Sequence, residues 1–500
     1  MVKHIKLIKK ILLIQPPAFA LKDKSDMNPN APLGIAYIGS VLEAAGYEVM
    51  ILDAFVEGLE NEIPVDNERV LIGLTPAEIA QRIRDYSPDV VGVSSLFTIQ
   101  RRNSHKVCEV AKSVSQNIIV VMGGPHPTAE PEMVLEDRNV DYVVLGEGEE
   151  TMPELLNRLN AKKDISDIDG LCLRCNGKVV VNKKNRFIED LDSIPFPARH
   201  LLPMEKYFRF KKSHGVNRLS PYASIVTSRG CPFGCTFCST HTVWGRRYRF
   251  RSARNVLEEI KYLVKNYGIK ELLFEDDNLT LNGNRALEIF QGMIDENLGL
   301  IWRTPNGVAV STLDNKLLDK MKESGCYQLG FAIESGNQRV LDNIIKKPLN
   351  LDEIPKLVRH SHRIGIDVIL FLVVGMPGET IEDMKETFRF SRRLGIYDNQ
   401  HISIATPYPG SELYRICKER NLFAKEFNYD RLSIRNANIE TEEWSPDDIL
   451  RLVERERRKN YLLCSFRNPV LFAKALVPPG IKKILKKHIK RRKAIDEYSS

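Results

Sequence analysis

The chain has 500 residues, 43% hydrophobic and 28% charged, with a formal net charge of +8. That balance describes a soluble globular protein of roughly two to four domains. It excludes a disordered chain, and no apolar run reaches the about eighteen residues of a membrane-spanning helix. The positive charge is local: residues 481–493, IKKILKKHIKRRK, carry eight Lys or Arg and no acid, so the rest of the chain is near neutral. The body therefore has no nucleic-acid footprint, and no nucleic-acid partner is expected. Nine cysteines, an odd number with three in one short segment, fit a reducing cytoplasm instead of a disulfide framework.

The chain opens on MVKHIKLIKKILLIQPP. Its apolar core, ILLI, is too short for a signal peptide and fits a buried first strand. Strand-like and helix-like segments then alternate through the first 150 residues. IKKILLIQ, YEVMILDA, VVGVSSL, IIVVMGG and YVVLGEG each end in small or turn residues. LGIAYIGSVLEAAGY has the spacing of a first crossover helix closed by Gly46. This pattern predicts a doubly wound parallel α/β domain over residues 1–158, with ligand loops at the carboxyl edge of its sheet.

Residues 159–215 read as a hairpin and connector. GLCLRCNGKVVV places Asn-Gly between two strand-like arms, a strong hairpin signal. Cys172 and Cys175 would then face opposite sides and make poor partners for a second metal. Alternation resumes at Ser224 with ASIVTSRG, IKELLFEDD, YQLGFAIESG, IDVILFLVVGMPGE and HISIATPYPG. These predict a parallel partial barrel over 216–430, followed by a helical C-terminal region over 431–500.

The segment TSRGCPFGCTFCST carries Cys231, Cys235 and Cys238 within eight residues. Three thiolates so close can ligate three irons of a four-iron four-sulfur (4Fe-4S) cluster and leave the fourth iron open to a small molecule. A structural zinc site is the bland alternative. It wants a fourth Cys or His at motif spacing, and His241 follows too closely to supply it.

This segment resembles the signature of radical S-adenosylmethionine (AdoMet) enzymes. The resemblance implies a (β/α)6 partial barrel whose open iron chelates the amino and carboxylate groups of AdoMet. It further implies reductive cleavage to a 5′-deoxyadenosyl radical, with Phe237 near the adenine. Glu275, Asp276 and Asp277, in FEDDNLT at the second strand's end, correspond to acceptors for the methionine ammonium; the same residues suit a helix cap. Glu334 in IESG falls where family members bind polar groups of AdoMet, such as the ribose. Gly375, opening GMPGET, matches a glycine motif lying against the adenine or methionine moiety, although a turn alone also explains it.

The first half resembles the Rossmann-like cobalamin-binding domain found upstream of many such barrels. Ser94 and Leu96 match its Ser-x-Leu after the third strand, Gly123 and Gly124 its paired glycines after the fourth, and Gly146 in GEGE the next loop. Small residues there let a corrin and its nucleotide tail approach the backbone. Domains that replace the lower cobalt ligand with a protein histidine carry Asp-x-His-x-x-Gly after the first strand. Here QPPAFALKDKSDMNPNAPLG has no histidine. His126, in the glycine loop, is read as a hydrogen-bond partner of the corrin or its tail, with cobalt ligation the alternative. The basic, aromatic run WGRRYRFR at 244–251 is read as touching AdoMet, corrin side chains or substrate anions, against a solvated surface.

The domain order is that of the anaerobic magnesium-protoporphyrin monomethyl ester cyclase and hopanoid methylase group. It implies a cobalamin-dependent C-methyltransferase acting on an unactivated carbon of a hydrophobic small molecule, with a flavodoxin or ferredoxin as electron donor. A radical cyclase, oxidoreductase or ring rearrangement enzyme of the same architecture is the alternative. A cobalamin or redox sensor is a distant third, since a sensor has no need of an open iron. Ile481, Ile484, Leu485, His488 and Ile489 share one face of a basic amphipathic helix. Such a helix suits either peripheral contact with the inner face of the membrane, useful for a lipid substrate, or packing on the body.

Overall fold

The computed structural model describes residues 7–24 and 27–467, so the amphipathic tail lies outside the described residues. The first sheet contains β1 (Lys10–Gln15), β2 (Glu48–Asp53), β3 (Val90–Ser94), β4 (Ile119–Gly123), β5 (Tyr142–Val144), β6 (Leu171–Cys175) and β7 (Lys178–Val181). Their spatial order is β7-β6-β5-β4-β3-β1-β2. β1 to β5 pair in parallel, whereas β6 and β7 join antiparallel at the β5 edge. β1, β3, β4 and β5 are largely buried runs rich in Val, Ile and Leu, as sheets covered by crossover helices require, whereas the edge strand β2 exposes Glu48 and Met50. The order reverses between β1 and β3, which is where a doubly wound sheet opens its ligand crevice.

Two expectations are corrected here. The hairpin turns at Asn176 and Gly177, both at positive φ, and it extends the first sheet. Its residues therefore belong with the N-terminal domain, and a boundary at 158 cuts that sheet. The segment after β1 is also more than a loop: Ala18–Leu21 pairs antiparallel with Arg69–Ile72, which pairs with Glu62–Pro64. Cys172 is buried and Cys175 exposed, as the extended geometry demands.

The second sheet has six parallel strands in simple order: β8 (Tyr222–Ile225), β9 (Glu271–Phe274), β10 (Ile301–Val308), β11 (Cys326–Glu334), β12 (Asp367–Val374) and β13 (Gln400–Ile404). Five of these match the sequence reading. β10 escaped it because Pro305 and Gly307 interrupt the apolar pattern. Gly307 sits at φ +82, and a Cβ there would lie 2.7 Å from the Phe371 ring. Alternate residues such as Leu272, Phe331, Leu370 and Ile402 pack outward into one core beneath the helices. Their neighbours line the lumen. A 22-residue helix, α1 (Pro446–Arg467), packs Ile449, Leu452 and Val453 into the same core. Among the described residues no helix is long and apolar enough to cross a membrane.

Candidate active site

The carboxyl edge of the first sheet faces the second domain across a cavity of about 520 Å³. Ser94, Leu96, Gly123, Gly124, His126 and Gly146, all expected around a corrin, line it together. The glycines are required by the backbone. Gly124 has φ +113, and a Cβ there would meet the Ser95 carbonyl at 2.8 Å; Gly146 has φ +59, with the Val243 carbonyl 3.0 Å from a Cβ. His126 is 1% exposed, yet neither ring nitrogen has a hydrogen-bond partner, and Ser95 Oγ is likewise unpaired. Burial, aided by the charges of His105 and Arg101, pushes the His126 pKa down to about 4. The imidazole is thus neutral at physiological pH, with one donor and one acceptor to offer. Unpaired buried polar atoms are costly, so this wall of the cavity is built for a polar ligand.

The opposite wall comes from the segment that follows the cysteine loop. Gly230, where a Cβ would lie 2.3 Å from the Arg247 carbonyl, turns the chain into Cys231. Thr236 fixes the loop: its N–H donates to the Ile345 carbonyl (2.9 Å), its hydroxyl to that of Ile344 (2.6 Å), and its carbonyl accepts from Leu413 N–H (2.8 Å). Cys231, Cys235 and Cys238 are partly exposed free thiols. Burial raises all three pKa values, Cys235 to about 12, so metal binding must displace their protons. Among the described residues no three His, Cys, Asp or Glu gather round a single ion position. A cluster taking one thiolate per iron does not require that. Immediately after Cys238, Ser239, Thr240, Thr242, Val243 and Trp244 enter the cavity lining. The cavity therefore runs from the glycine loops to the segment that directly follows Cys238, while the three cysteines themselves stand behind its lining. Tyr408 and Pro409 of PYPG complete it, and Gly410 packs on Thr242, where a Cβ would lie 2.6 Å from Oγ1.

The three carboxylates of FEDD separate. Asp277 reaches the cysteine loop, accepting from Thr240 Oγ1 at 3.3 Å; burial, then Asp276, pushes its pKa up to about 6. Asp276 turns inward, buried and saturated by Thr227 N–H and the hydroxyls of Thr227 and Ser228. The expectation that it contacts a ligand is corrected on that ground. Glu275 points into the barrel lumen and accepts from His214 (2.9 Å), Ser224 (3.1 Å) and Asn30 (3.4 Å). None of the three caps the following helix, whose cap is Asn282.

Glu334 sits at φ +61, an uncommon conformation for a non-glycine residue, and its carboxylate pairs with the buried Lys347 ammonium at 2.8 Å. Burial alone would lower the Lys347 pKa; Glu334, then Cys235 and Cys231, outweigh it and raise it. This cation beside the cysteine loop had no signal in the sequence reading. Phe237 is half-buried against the barrel core. Gly375 lies at φ +85, with Ile449 of α1 at 3.6 Å from a Cβ, and the turn it opens wraps the buried Glu379, which accepts from Met376 N–H at 2.7 Å.

The WGRRYRFR run divides: Trp244 lines the cavity, whereas the expectation for two of its arginines is corrected. Arg249 and Arg251 are buried and committed to protein carboxylates, because the acidic loop supplies partners that spacing alone did not reveal. Arg249 binds Glu147 at 2.7 Å, and Arg229 binds Glu147 at 3.2 Å and Glu149 at 2.6 Å. Arg251 and Arg199 both pair with Glu259. Arg229 also lies 4.8 Å over the Trp244 ring. GEGE is thus both a wall of the cavity and the ionic joint between the two domains.

Residues 27–156 match the B12 binding domain family, and residues 225–391 match the Radical SAM superfamily. Over 481 residues the chain is 36% identical to the cytidylyl-2-hydroxyethylphosphonate methyltransferase of Streptomyces wedmorensis, covering 90% of this chain and 89% of that one. The chain belongs to the cobalamin-binding radical AdoMet family. An uncharacterized methyltransferase of Pyrococcus horikoshii is 34% identical, with 93% of this chain and 94% of that one covered. The cobalamin-dependent AdoMet radical enzyme OxsB, solved with aqua-cobalamin and AdoMet bound, has the same fold. The TM-score is 0.72 over 98% of this chain and 72% of that one, at 15% identity. This radical AdoMet protein is accordingly an enzyme, and its cofactors are cobalamin, a 4Fe-4S cluster and AdoMet. The glycine cradle with the unpaired His126 and Ser95, and the anchored loop of three free thiols, fit those groups.

Proposed function

We propose that this enzyme transfers a methyl group from AdoMet to an unactivated carbon of a small molecule. The observation that carries the reading is the cavity in which the glycine loops face the segment that directly follows Cys238. A methyl-carrying cofactor and a radical-generating one must reach the same carbon, and one dry, shaped space allows that. The near full-length relative named as a methyltransferase supports the same reading.

In this account Cys231, Cys235 and Cys238 hold the cluster, and Asp277 and Glu334 orient AdoMet beside it. Lys347 fixes the Glu334 carboxylate. Ser94, Leu96, Gly123, Gly124 and Gly146 seat the corrin, and His126 offers it a neutral hydrogen bond. Glu147 and Glu149 lock the two halves so that the reacting atoms stay in line. When bound, the cluster and AdoMet supply the radical that takes a hydrogen atom from the acceptor, and cobalamin supplies the methyl group. The hydrophobic or lipid acceptor expected from the domain order draws no support from the lumen, which carries His214, Glu275, Arg303 and His401.

Anaerobic turnover of the reconstituted enzyme with AdoMet and reductant tests the reaction class. Methyl transfer yields S-adenosylhomocysteine together with 5′-deoxyadenosine. 5′-Deoxyadenosine alone, with substrate consumed, would overturn it in favour of the cyclase or rearrangement chemistry.

A further inference from the structure

The six-stranded barrel is open between its end strands, β8 and β13, which do not pair. Two basic segments close on the free edge of β13. Ile404 N–H donates to the Ile434 carbonyl at 2.8 Å, which brings Arg435 alongside, and Arg457 of α1 donates to the Ile402 carbonyl at 3.3 Å. Ile402 and Ile404 face the outer core, so His401 and Ser403 face the lumen. The His401 ring meets the Phe371 ring edge-on, with centroids 5.5 Å apart. From the other side of the opening His214 enters, its backbone carbonyl held by Arg303 at 2.8 Å and its Nδ1 by Glu275.

The charges at this opening are unbalanced. Among the described residues neither Arg435 nor Arg457 forms an ion pair. Glu275 is engaged by His214, and Arg303 faces Glu271 at 3.5 Å. Burial, then Arg435, lowers the Arg457 pKa; burial, then His214, Arg435 and Arg457, lowers that of His401. The two arginines thus act on each other and on His401 with no ion-pair partner of their own among the described residues. Like charges kept together without a counter-ion weaken the fold, and two unpaired arginines beside a lumen-facing histidine leave the counter-ion to come from a ligand.

We propose that this opening binds a phosphate or phosphonate group of the substrate, held by Arg435 and Arg457 with His401 as a further donor. The guanidinium fork matches a tetrahedral oxyanion in geometry as well as charge. His401 lies three residues below the carboxyl end of β13, roughly 10 Å at strand rise. The acceptor carbon therefore sits several bonds from the anion, at the level of the shared cavity. The inference rests on the methyl-transfer reading for what happens at that carbon, but anion binding is measurable without turnover.

The test is calorimetric titration of the full-length reconstituted protein with ethylphosphonate, with the neutral ethanesulfonamide as control and a parallel arm using phosphatidylglycerol vesicles. Wild type should bind ethylphosphonate saturably and not the sulfonamide. Arg435→Gln with Arg457→Gln should weaken binding about tenfold or more, since charge-assisted bonds are lost, whereas the paired Lys variants retain most of it. Melting checks that the variants fold. Equal affinity in wild type and the Gln pair, or no saturable binding, overturns the proposal. Binding to vesicles without ethylphosphonate binding overturns it in favour of a lipid surface. Cluster content and AdoMet cleavage, read on the same preparations, fail separately if it is the methyl-transfer reading that is wrong.

Discussion

Alanine at Cys231, Cys235 or Cys238 is expected to abolish AdoMet cleavage and to leave reconstituted protein with less than the wild-type iron and sulfide. In the proposed reading each thiolate holds a different iron, so two would not hold the cluster in an anchored loop. The loss should exceed the roughly hundredfold effect of removing a hydrogen-bonding partner of a ligand. Cobalamin retention should survive, because the glycine cradle belongs to the first domain. The readouts are iron content, the EPR signal of the reduced cluster, and 5′-deoxyadenosine formation. A Cys238→Ala protein with wild-type cluster signal and turnover would remove the basis of the site assignment. Alanine at Cys172 or Cys175, on opposite faces of the hairpin, serves as the control and should change none of these.

Glu147→Ala should have the largest effect on stability. It strips Arg249 and Arg229 of a shared buried counter-charge and leaves Ile188 N–H without its 2.8 Å acceptor. Removing one partner of a buried ionic network typically costs about 3–5 kcal/mol, a large share of a domain's usual stability. Because the network joins the acidic loop to Arg229 and Arg249 of the second domain, the variant should also let the domains part and lower cobalamin retention. Urea unfolding and cobalt content measure the two effects. Glu189→Gln, which breaks only the exposed pair with Arg247, should cost less than about 1 kcal/mol. A Glu147→Ala protein as stable as that control would show that the joint carries no load.

Much of this was legible from short-range pattern. The five parallel strands of the first sheet are runs of Val, Ile and Leu ending in small residues, and Asn176-Gly177 announces its hairpin. Cys231, Cys235 and Cys238 lie within one loop, so their spacing could be read as a candidate cluster site without any long-range contact. Interactions across the chain were not legible. Arg249 and Glu147 are 102 residues apart, so nothing local distinguishes an arginine of an interdomain joint from one poised for a ligand. Lys347 gains its role only when the chain after Ile345 folds against Thr236. Asp276 and Asp277 are adjacent and chemically identical; the loop after β9 sends one to Thr227 and the other to Thr240. β10 stayed hidden because its lumen side needs Gly307 where a strand pattern would place a side chain.

The central claim is that the two cofactor sites open into one cavity. EPR of the enzyme carrying both the reduced cluster and cobalt(II) cobalamin, compared with samples carrying one of them, tests it most directly. Facing sites predict mutual broadening and faster relaxation in the doubly loaded enzyme, both lost when Cys238→Ala removes the cluster. Two spectra that simply add would place the cofactors too far apart to act on one carbon, and would contradict the account.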